Sequence, residues 1–122
     1  MLTTDELTTA IAAHSAWKSR LKKSIDTGVS EVPIATIRAE DQCAFGKWLH
    51  GSGMTAADRA SPHYQSVLAA HAEFHRVAAR VAEFATTGRK GEALALIAPV
   101  GEYTLISSKV VLAMSEWKKA LH

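Results

Sequence analysis

The chain has 122 residues, which is enough for one domain with a buried core and too few for a second domain of ordinary size, so we expect a single domain over residues 1–122. Hydrophobic residues make up 48% of it, and its 14 basic and 12 acidic side chains are scattered, which argues against a disordered protein and against a basic nucleic-acid-binding face. The longest apolar runs, such as residues 93–100, are far short of the roughly 18 residues that cross a bilayer, so we expect a cytoplasmic protein with neither nucleic-acid nor membrane partners.

The first predicted helix begins at a capping box. Thr3 is followed three residues later by Glu6, a pattern in which the two side chains satisfy free N–H groups of the first helical turn. Apolar residues and one histidine then recur at spacings of three and four, which predicts an amphipathic helix ending near Gly28. The stripe consists of Leu7, Ile11, His14, Trp17, Leu21 and Ile25.

The second predicted helix is short and carries the only cysteine. Residues 29–39 contain Pro33 and no sustained period, so we interpret them as a loop packed against the other helices. The acidic pair at 40–41 is expected to open a helix through Leu49, which places Cys43 in the first turn. There the positive end of the helix macrodipole favours a thiolate, the form that ligates zinc. A lone cysteine also excludes an intramolecular disulfide.

The third predicted helix is the longest continuous amphipathic stretch. Ser61 and Pro62 form a cap and first-turn pair, and the helix is expected to end at Thr87 and Gly88. Two histidines lie in its apolar stripe. The stripe consists of Tyr64, Val67, Leu68, His71, Phe74, His75, Ala78 and Val81.

The last segment, residues 91–121, has a helical period with Pro99 and Gly101 inside it, which predicts a kink or a split into two helices. Its apolar residues follow two lines. The first line consists of Leu94, Ala98, Leu105 and Leu112, and the second of Leu96, Val100, Tyr103, Val110, Met114 and Trp117. One core needs fewer apolar positions, so we expect the second line to pack against another subunit. The predicted fold is all-α, an antiparallel four-helix bundle with a short inserted helix that carries the cysteine.

Three of the six histidines are predicted to point into the same interior, namely His14, His71 and His75. A buried imidazole needs partners for its ring nitrogens, since an unsatisfied group costs on the order of 1 to 3 kcal/mol. The spacing of His71 and His75 places both on one helix face, within reach of one metal ion. With Cys43 they make four ligands, a nitrogen and sulfur set that zinc prefers. The residues alone leave open ordinary packing of the histidines and a buried, inert cysteine.

The remaining polar and aromatic candidates have simpler interpretations. His50, His63 and His122 lie outside the stripes and are expected to be solvated. Glu73 lies between two candidate ligands but points away from them around the helix, so it is a poor general base for a metal-bound water. Trp17 and Trp48 are expected to anchor the core. Gly46 inside a short helix costs about 1 kcal/mol relative to alanine, which suggests a close approach of another backbone.

Three separated motifs carry a family resemblance. They are H-x-x-W at 14–17, C-A-F-G-K-W at 43–48, which includes Phe45, Gly46 and Trp48, and H-A-E-F-H at 71–75. In this order they resemble the chemoreceptor zinc-binding (CZB) domain. The resemblance implies a helical bundle, commonly a homodimer, that binds one Zn²⁺ per chain through His14, Cys43, His71 and His75. Members of this family are typically regulatory domains of bacterial chemoreceptors and diguanylate cyclases.

The resemblance also implies a signal, which is zinc itself or, through the zinc-bound cysteine, an oxidant such as hypochlorous acid. We expect Cys43 to be the redox-sensitive ligand, because a sulfenic acid holds zinc less well than a thiolate. We then expect this domain to regulate the output domain of a chemoreceptor or cyclase, either on the same polypeptide (in cis) or on a separate protein (in trans). The sequence leaves open whether the signal is zinc, oxidant or pH.

Two other classes of function compete with this interpretation. A structural zinc module for dimerisation needs the same ligands, because the sequence does not reveal metal exchange. A zinc hydrolase would use the three histidines and an open position for water, whereas four protein ligands close the tetrahedron. No paired carboxylates, phosphate loop or Ser-His-Asp order supports catalysis, so the sequence predicts a protein that is not an enzyme.

Overall fold

The computed structural model describes residues 4–121, and this part of the chain is all helical, with no strand. The all-α prediction is therefore confirmed for the described residues. In chain order the helices are α1 (Thr4–Thr27), α2 (Ile34–Arg38), α3 (Ala44–Leu49), α4 (Ala56–Ala60), α5 (Pro62–Thr86), α6 (Lys90–Ile97) and α7 (Glu102–Ala120).

The core lies where α1, α5, α6 and α7 pack against one another, with α5 at its centre. The inner face of α5 is rich in alanine and valine, which lets its neighbours approach closely, and aromatic side chains from α5 and α7 fill the remaining space. Short helices α2 and α4 pack on α5, and α3 packs on α1. The largest fully buried side chains include Leu7, Leu21, Leu49, Phe74, Tyr103 and Met114.

The two long predicted helices are confirmed, and the segments between them contain more helix than expected. Residues 29–39 are not simply a loop, because α2 forms within them after Pro33. For residues 51–61 the sequence predicts only a turn-rich break, and the structure has α4 there. It begins at a capping box: Thr55 Oγ1 accepts from the Asp58 N–H at 3.1 Å, and the Thr55 N–H donates to Asp58 Oδ2 at 2.9 Å. The predicted cap Thr3 of α1 lies outside the described residues.

The cysteine helix begins later than predicted. Helix α3 starts at Ala44, so Cys43 is its N-cap and does not lie within the first turn. The cap backbone is extended, and the Cys43 sulfur accepts a hydrogen bond from the Gly46 N–H at 3.3 Å. Cys43 therefore lies at the start of a short helix, as predicted, but the first residue of that helix comes later in the chain than expected.

The last segment splits into α6 and α7, as Pro99 and Gly101 predicted. A Cβ on Gly101 would overlap the carbonyl oxygens of Ala95 and Leu96, so the chain turns back here more tightly than any other residue allows. The prediction for the two apolar lines is wrong. The second line is mostly buried inside this chain, through Tyr103, Val110, Met114 and Trp117, and the exposed residues of the first line are Leu94, Leu105 and Leu112.

By length and composition alone, the stretch Lys90–Ala120 could cross a membrane, and 22% of its most apolar window is buried. A single such stretch is weak evidence, since the core helix of a soluble protein passes the same test. Here the stretch is broken between Ile97 and Glu102, and α7 buries one face against α1 and α5. The apolar residues on the exposed face of α7 explain why this stretch is apolar enough to meet the length and composition criteria.

Candidate metal centre

Four side chains from three parts of the fold converge at one point in the core. His14 comes from the middle of α1, Cys43 from the cap of α3, and His71 and His75 from successive turns of α5. One potential ligand atom from each of the four residues lies within 4.8 Å of all the others. The four predicted ligands are therefore brought together, and none of them lies elsewhere.

The ring nitrogens show which atoms face the centre. The Nε2 atom of His71 lies 3.4 Å from the Cys43 sulfur and 3.1 Å from Nε2 of His75. On the opposite sides of their rings, His14 Nδ1 donates to the Ala10 carbonyl at 2.7 Å and His75 Nδ1 donates to the Ile37 carbonyl at 2.8 Å. Because those bonds require hydrogen on Nδ1, the Nε2 atoms of His14 and His75 present lone pairs to the centre, and without a metal the His75 lone pair accepts a hydrogen bond from His71 Nε2.

These residues fit zinc by their chemistry and by their unmet hydrogen bonds. Among the described residues, His14 Nε2 is a buried side-chain nitrogen with no hydrogen-bond partner. A buried polar atom of this kind is costly unless something else satisfies it. One sulfur and three imidazole nitrogens match the tetrahedral donor set of zinc. A metal ion held by these four residues would supply the missing partner.

Burial keeps the three imidazoles in the neutral form that ligates metals. The relative exposure of His14, His71 and His75 is 2%, 0% and 1%. Desolvation lowers the pKa of His14 to about 4, against the opposing effect of its bond to the Ala10 carbonyl. Desolvation lowers the pKa of His71 and of His75 as well. At neutral pH no proton has to leave these side chains before a metal binds.

The expectation of a thiolate at Cys43 is wrong for the protein without metal. Burial raises the pKa of the Cys43 thiol, and the backbone N–H groups of Gly46 and Phe45 oppose this only in part. Helix α3 has 6 residues, so its dipole is small. The negative charge of Glu40 raises the same pKa further. The thiol proton therefore leaves when a metal binds, which makes metal affinity rise with pH.

The comparison with protein families decides the assignment. A family model for the chemoreceptor zinc-binding domain matches residues 14–82, which is more than half of the chain and includes all four candidate ligands. The chain belongs to the chemoreceptor zinc-binding domain family. Neither the curated proteins nor the solved structures contain a significant match. The CZB domain is a sensory zinc-binding domain and not a catalytic one.

Aromatic side chains form the walls of this CZB site. The Phe45 ring packs edge-on against the rings of His14 and His71, with centroids 5.9 and 5.2 Å apart. Trp17 and Trp48 pack against the core, as predicted, and both are half-buried. With Phe45 they line a groove of about 360 Å³ that leads from the surface to Cys43 and His14.

The side chains predicted to be peripheral are mostly so. His50 is exposed and pairs with Glu40, His63 is half-buried at the start of α5, and His122 lies outside the described residues. Glu73 is paired with Arg76 at 3.8 Å on the outer side of α5.

Sequence reasoning missed the groups behind the ligands. The Ala10 and Ile37 carbonyls orient two imidazoles, and a backbone atom has no side-chain signature in the sequence. Glu40 lies close to His71 and precedes the cysteine by three residues. The three-residue spacing between Glu40 and Cys43 is the only feature of the sequence that could have indicated a role for Glu40 at the site.

The zinc-free CZB domain is expected to lose stability as the pH falls below about 6.5. Burial depresses the pKa of the three histidines in the folded state. The unfolded chain, with ordinary histidine pKa values, therefore takes up protons first, and stability is lost as the pH falls below about 6.5, down to the lowered pKa values of the folded state. Urea unfolding of chelator-treated protein should show a loss on the order of 3 kcal/mol between about pH 7 and pH 5. His14→Leu should reduce this loss, and equal stability at both pH values would contradict the burial of neutral imidazoles.

Proposed function

We propose that this chain is a zinc-binding sensory and regulatory domain of bacterial signalling, of the chemotaxis or cyclic-di-GMP type. It holds one Zn²⁺ per chain through His14, Cys43, His71 and His75, and it senses zinc or an oxidant at that site. The observation that carries the proposal is the convergence of these four ligands within 4.8 Å in a chain of the CZB family. A site with four protein ligands leaves no open position for substrate, which supports sensing over catalysis.

Cys43 is the ligand that responds to oxidant in this proposal, because it is the most accessible of the four. The three histidines are buried, whereas the cysteine is half-buried and lines the groove between α1 and α3. Hypochlorous acid transfers its oxygen to the thiolate sulfur, which becomes a sulfenic acid as chloride leaves. A sulfenic acid is a poorer zinc ligand than a thiolate. Loss of this ligand releases α3, which has 6 residues and is bounded by turns.

The test is an oxidant titration of the zinc-loaded protein. We expect about one equivalent of hypochlorous acid to convert Cys43 to a sulfenic acid, detected by mass spectrometry, and to release zinc to a chromogenic chelator. Faster amide exchange in α3 than in α5 should accompany the release. Oxidation of Cys43 without zinc release would instead favour the structural zinc module.

We further propose a homodimer and a cytoplasmic location. In this proposal α1, α5, α6 and α7 form an antiparallel four-helix bundle, and the first apolar line of α6 and α7 covers the same line of a second copy. Leu105 and Leu112 lie seven residues apart on one face of α7 and are 59% and 61% exposed. The reducing cytoplasm would keep Cys43 available as a zinc ligand. The regulated output domain, of a chemoreceptor or a diguanylate cyclase, lies in cis or in trans.

Leu105→Glu combined with Leu112→Glu is expected to convert the dimer to a monomer, because each carboxylate would be buried against an apolar partner surface. Sedimentation velocity at high micromolar concentration measures the change. Val29→Glu is the matched control, since Val29 is 64% exposed and follows the end of α1, outside α6 and α7. A monomeric parent protein under the same conditions would contradict the dimer.

A further inference from the structure

One ring nitrogen at the metal centre has no hydrogen-bond partner on its outer side. The His71 Nε2 atom faces Cys43 and His75, so its Nδ1 atom carries the hydrogen if Nε2 binds a metal. Nδ1 is buried and makes no hydrogen bond within the described part of the chain, unlike the Nδ1 atoms of His14 and His75. A buried N–H group needs an acceptor.

The carboxylate of Glu40 lies behind this nitrogen. Its Oε2 atom is 3.6 Å from His71 Nδ1, slightly beyond hydrogen-bond distance. The Glu40 side chain is 25% exposed, so it lies at the edge of the site and its carboxylate keeps some contact with water. Its charge also acts on the other ligands: burial raises the pKa of the Cys43 thiol and Glu40 adds to this, whereas burial lowers the pKa of His75 and Glu40 opposes this in part.

Two contacts hold Glu40 in place. On the outer side, His50 Nε2 donates to both carboxylate oxygens, at 2.9 and 3.0 Å. On the inner side, the Glu40 carbonyl lies 3.7 Å from the Cys43 sulfur, as an acceptor for the thiol. Gly46 makes this arrangement possible, because a Cβ there would overlap that carbonyl. The carboxylate is therefore anchored by its neighbours next to His71.

We propose that Glu40 is the positioning residue for the His71 ligand. When Nε2 binds a metal, this carboxylate is the nearest acceptor for the Nδ1–H group, and the bond between them would keep the Nε2 lone pair directed at the metal and make the imidazole a stronger donor. His50 holds the carboxylate in this position from the solvent side. This inference rests on the proposed zinc site, and it adds a carboxylate to the two carbonyls that orient His14 and His75.

The experiment compares zinc affinity in three variants by competition with a chromogenic chelator. Glu40→Ala is expected to weaken zinc binding by about 10 to 100-fold, the usual cost of losing a group that orients a metal ligand. Glu40→Gln keeps an acceptor oxygen and should lose less. Asp41→Asn is the matched control, because it removes the same charge from the next residue, an exposed side chain that accepts a hydrogen bond from Gln42. It should bind zinc within about twofold of the parent.

A second readout separates positioning from a general effect on folding. Nitrogen-15 NMR of the zinc-loaded protein should show the His71 Nδ1–H proton shifted downfield by a bond to the Glu40 carboxylate in the parent, and moved upfield in Glu40→Ala. His50→Ala should shift the same signals in the same direction by a smaller amount. If Glu40→Ala does not fold, Glu40→Gln gives the comparison.

The outcomes distinguish this inference from the proposed function. Glu40→Ala with parental affinity and an unchanged His71 Nδ1–H signal would overturn the role of Glu40 while leaving the zinc site intact. A parent protein that takes up no zinc would overturn the proposed function. The inference about Glu40, which rests on that site, would fall with it.

Discussion

Replacing His71 with alanine is expected to lower zinc affinity by about 100-fold or more. Structural zinc sites bind with roughly 10 to 16 kcal/mol in total, so each of four ligands contributes about 2.5 to 4 kcal/mol. His71 occupies the middle of the cluster, with its Nε2 atom 3.4 Å from the Cys43 sulfur and 3.1 Å from Nε2 of His75. No other described side chain lies within the cluster to take its place. Competition with a chromogenic chelator measures the loss.

The matched control for this substitution is His63→Ala. His63 lies on the same helix, α5, but outside the cluster, so its removal should leave zinc affinity unchanged within about twofold. Circular dichroism of both variants checks that α5 is intact. If His71→Ala binds zinc as tightly as His63→Ala, the four-ligand site is wrong.

Gly46→Ala is expected to cost about 3 kcal/mol of folding stability or more and to weaken zinc binding at least tenfold. A Cβ at this position would overlap the Glu40 carbonyl oxygen and lie too close to Cα of Asp41. Both obstacles are backbone, which has no rotamer by which to move aside, so α3 must shift away from the segment before it. The shift would carry Cys43 out of the cluster. Urea unfolding and chelator competition measure the two effects.

Gly53→Ala provides the control for the loss of a glycine. A Cβ on Gly53 would meet nothing within 4 Å, and its φ is not positive. We expect a change of less than about 1 kcal/mol in stability and none in zinc affinity. Equal behaviour of the two alanine variants would show that α3 is not held against Glu40 in the way described.

The long helices could be predicted because their apolar stripes repeat over many turns. Helices α2 and α4 have 5 residues each, too few for a period to emerge, and α4 was missed although Thr55 and Asp58 have capping-box spacing. The two apolar lines of the last segment show a different limit. Periodicity identifies which residues share a face, but which face turns inward is set by the neighbouring helices. That is why Tyr103 is buried and Leu105 is exposed.

The clustering of the four candidate ligands could be predicted from residue type and spacing. Cysteine and histidine are uncommon enough for an ordered set of motifs to stand out, and the inward stripe places His14 with His71. The protonation of Cys43 could not be predicted, because burial outweighs the helix N-terminus there. Neither could the Ile37 carbonyl, which reaches His75 only because α2 packs on α5.

Zinc K-edge X-ray absorption of the zinc-loaded protein tests the ligand set most directly. We expect one sulfur scatterer at about 2.3 Å and three nitrogen scatterers at about 2.0 to 2.1 Å, with the sulfur absent in Cys43→Ala. A spectrum of the parent protein that fits four nitrogen or oxygen ligands and no sulfur would contradict a zinc site completed by Cys43.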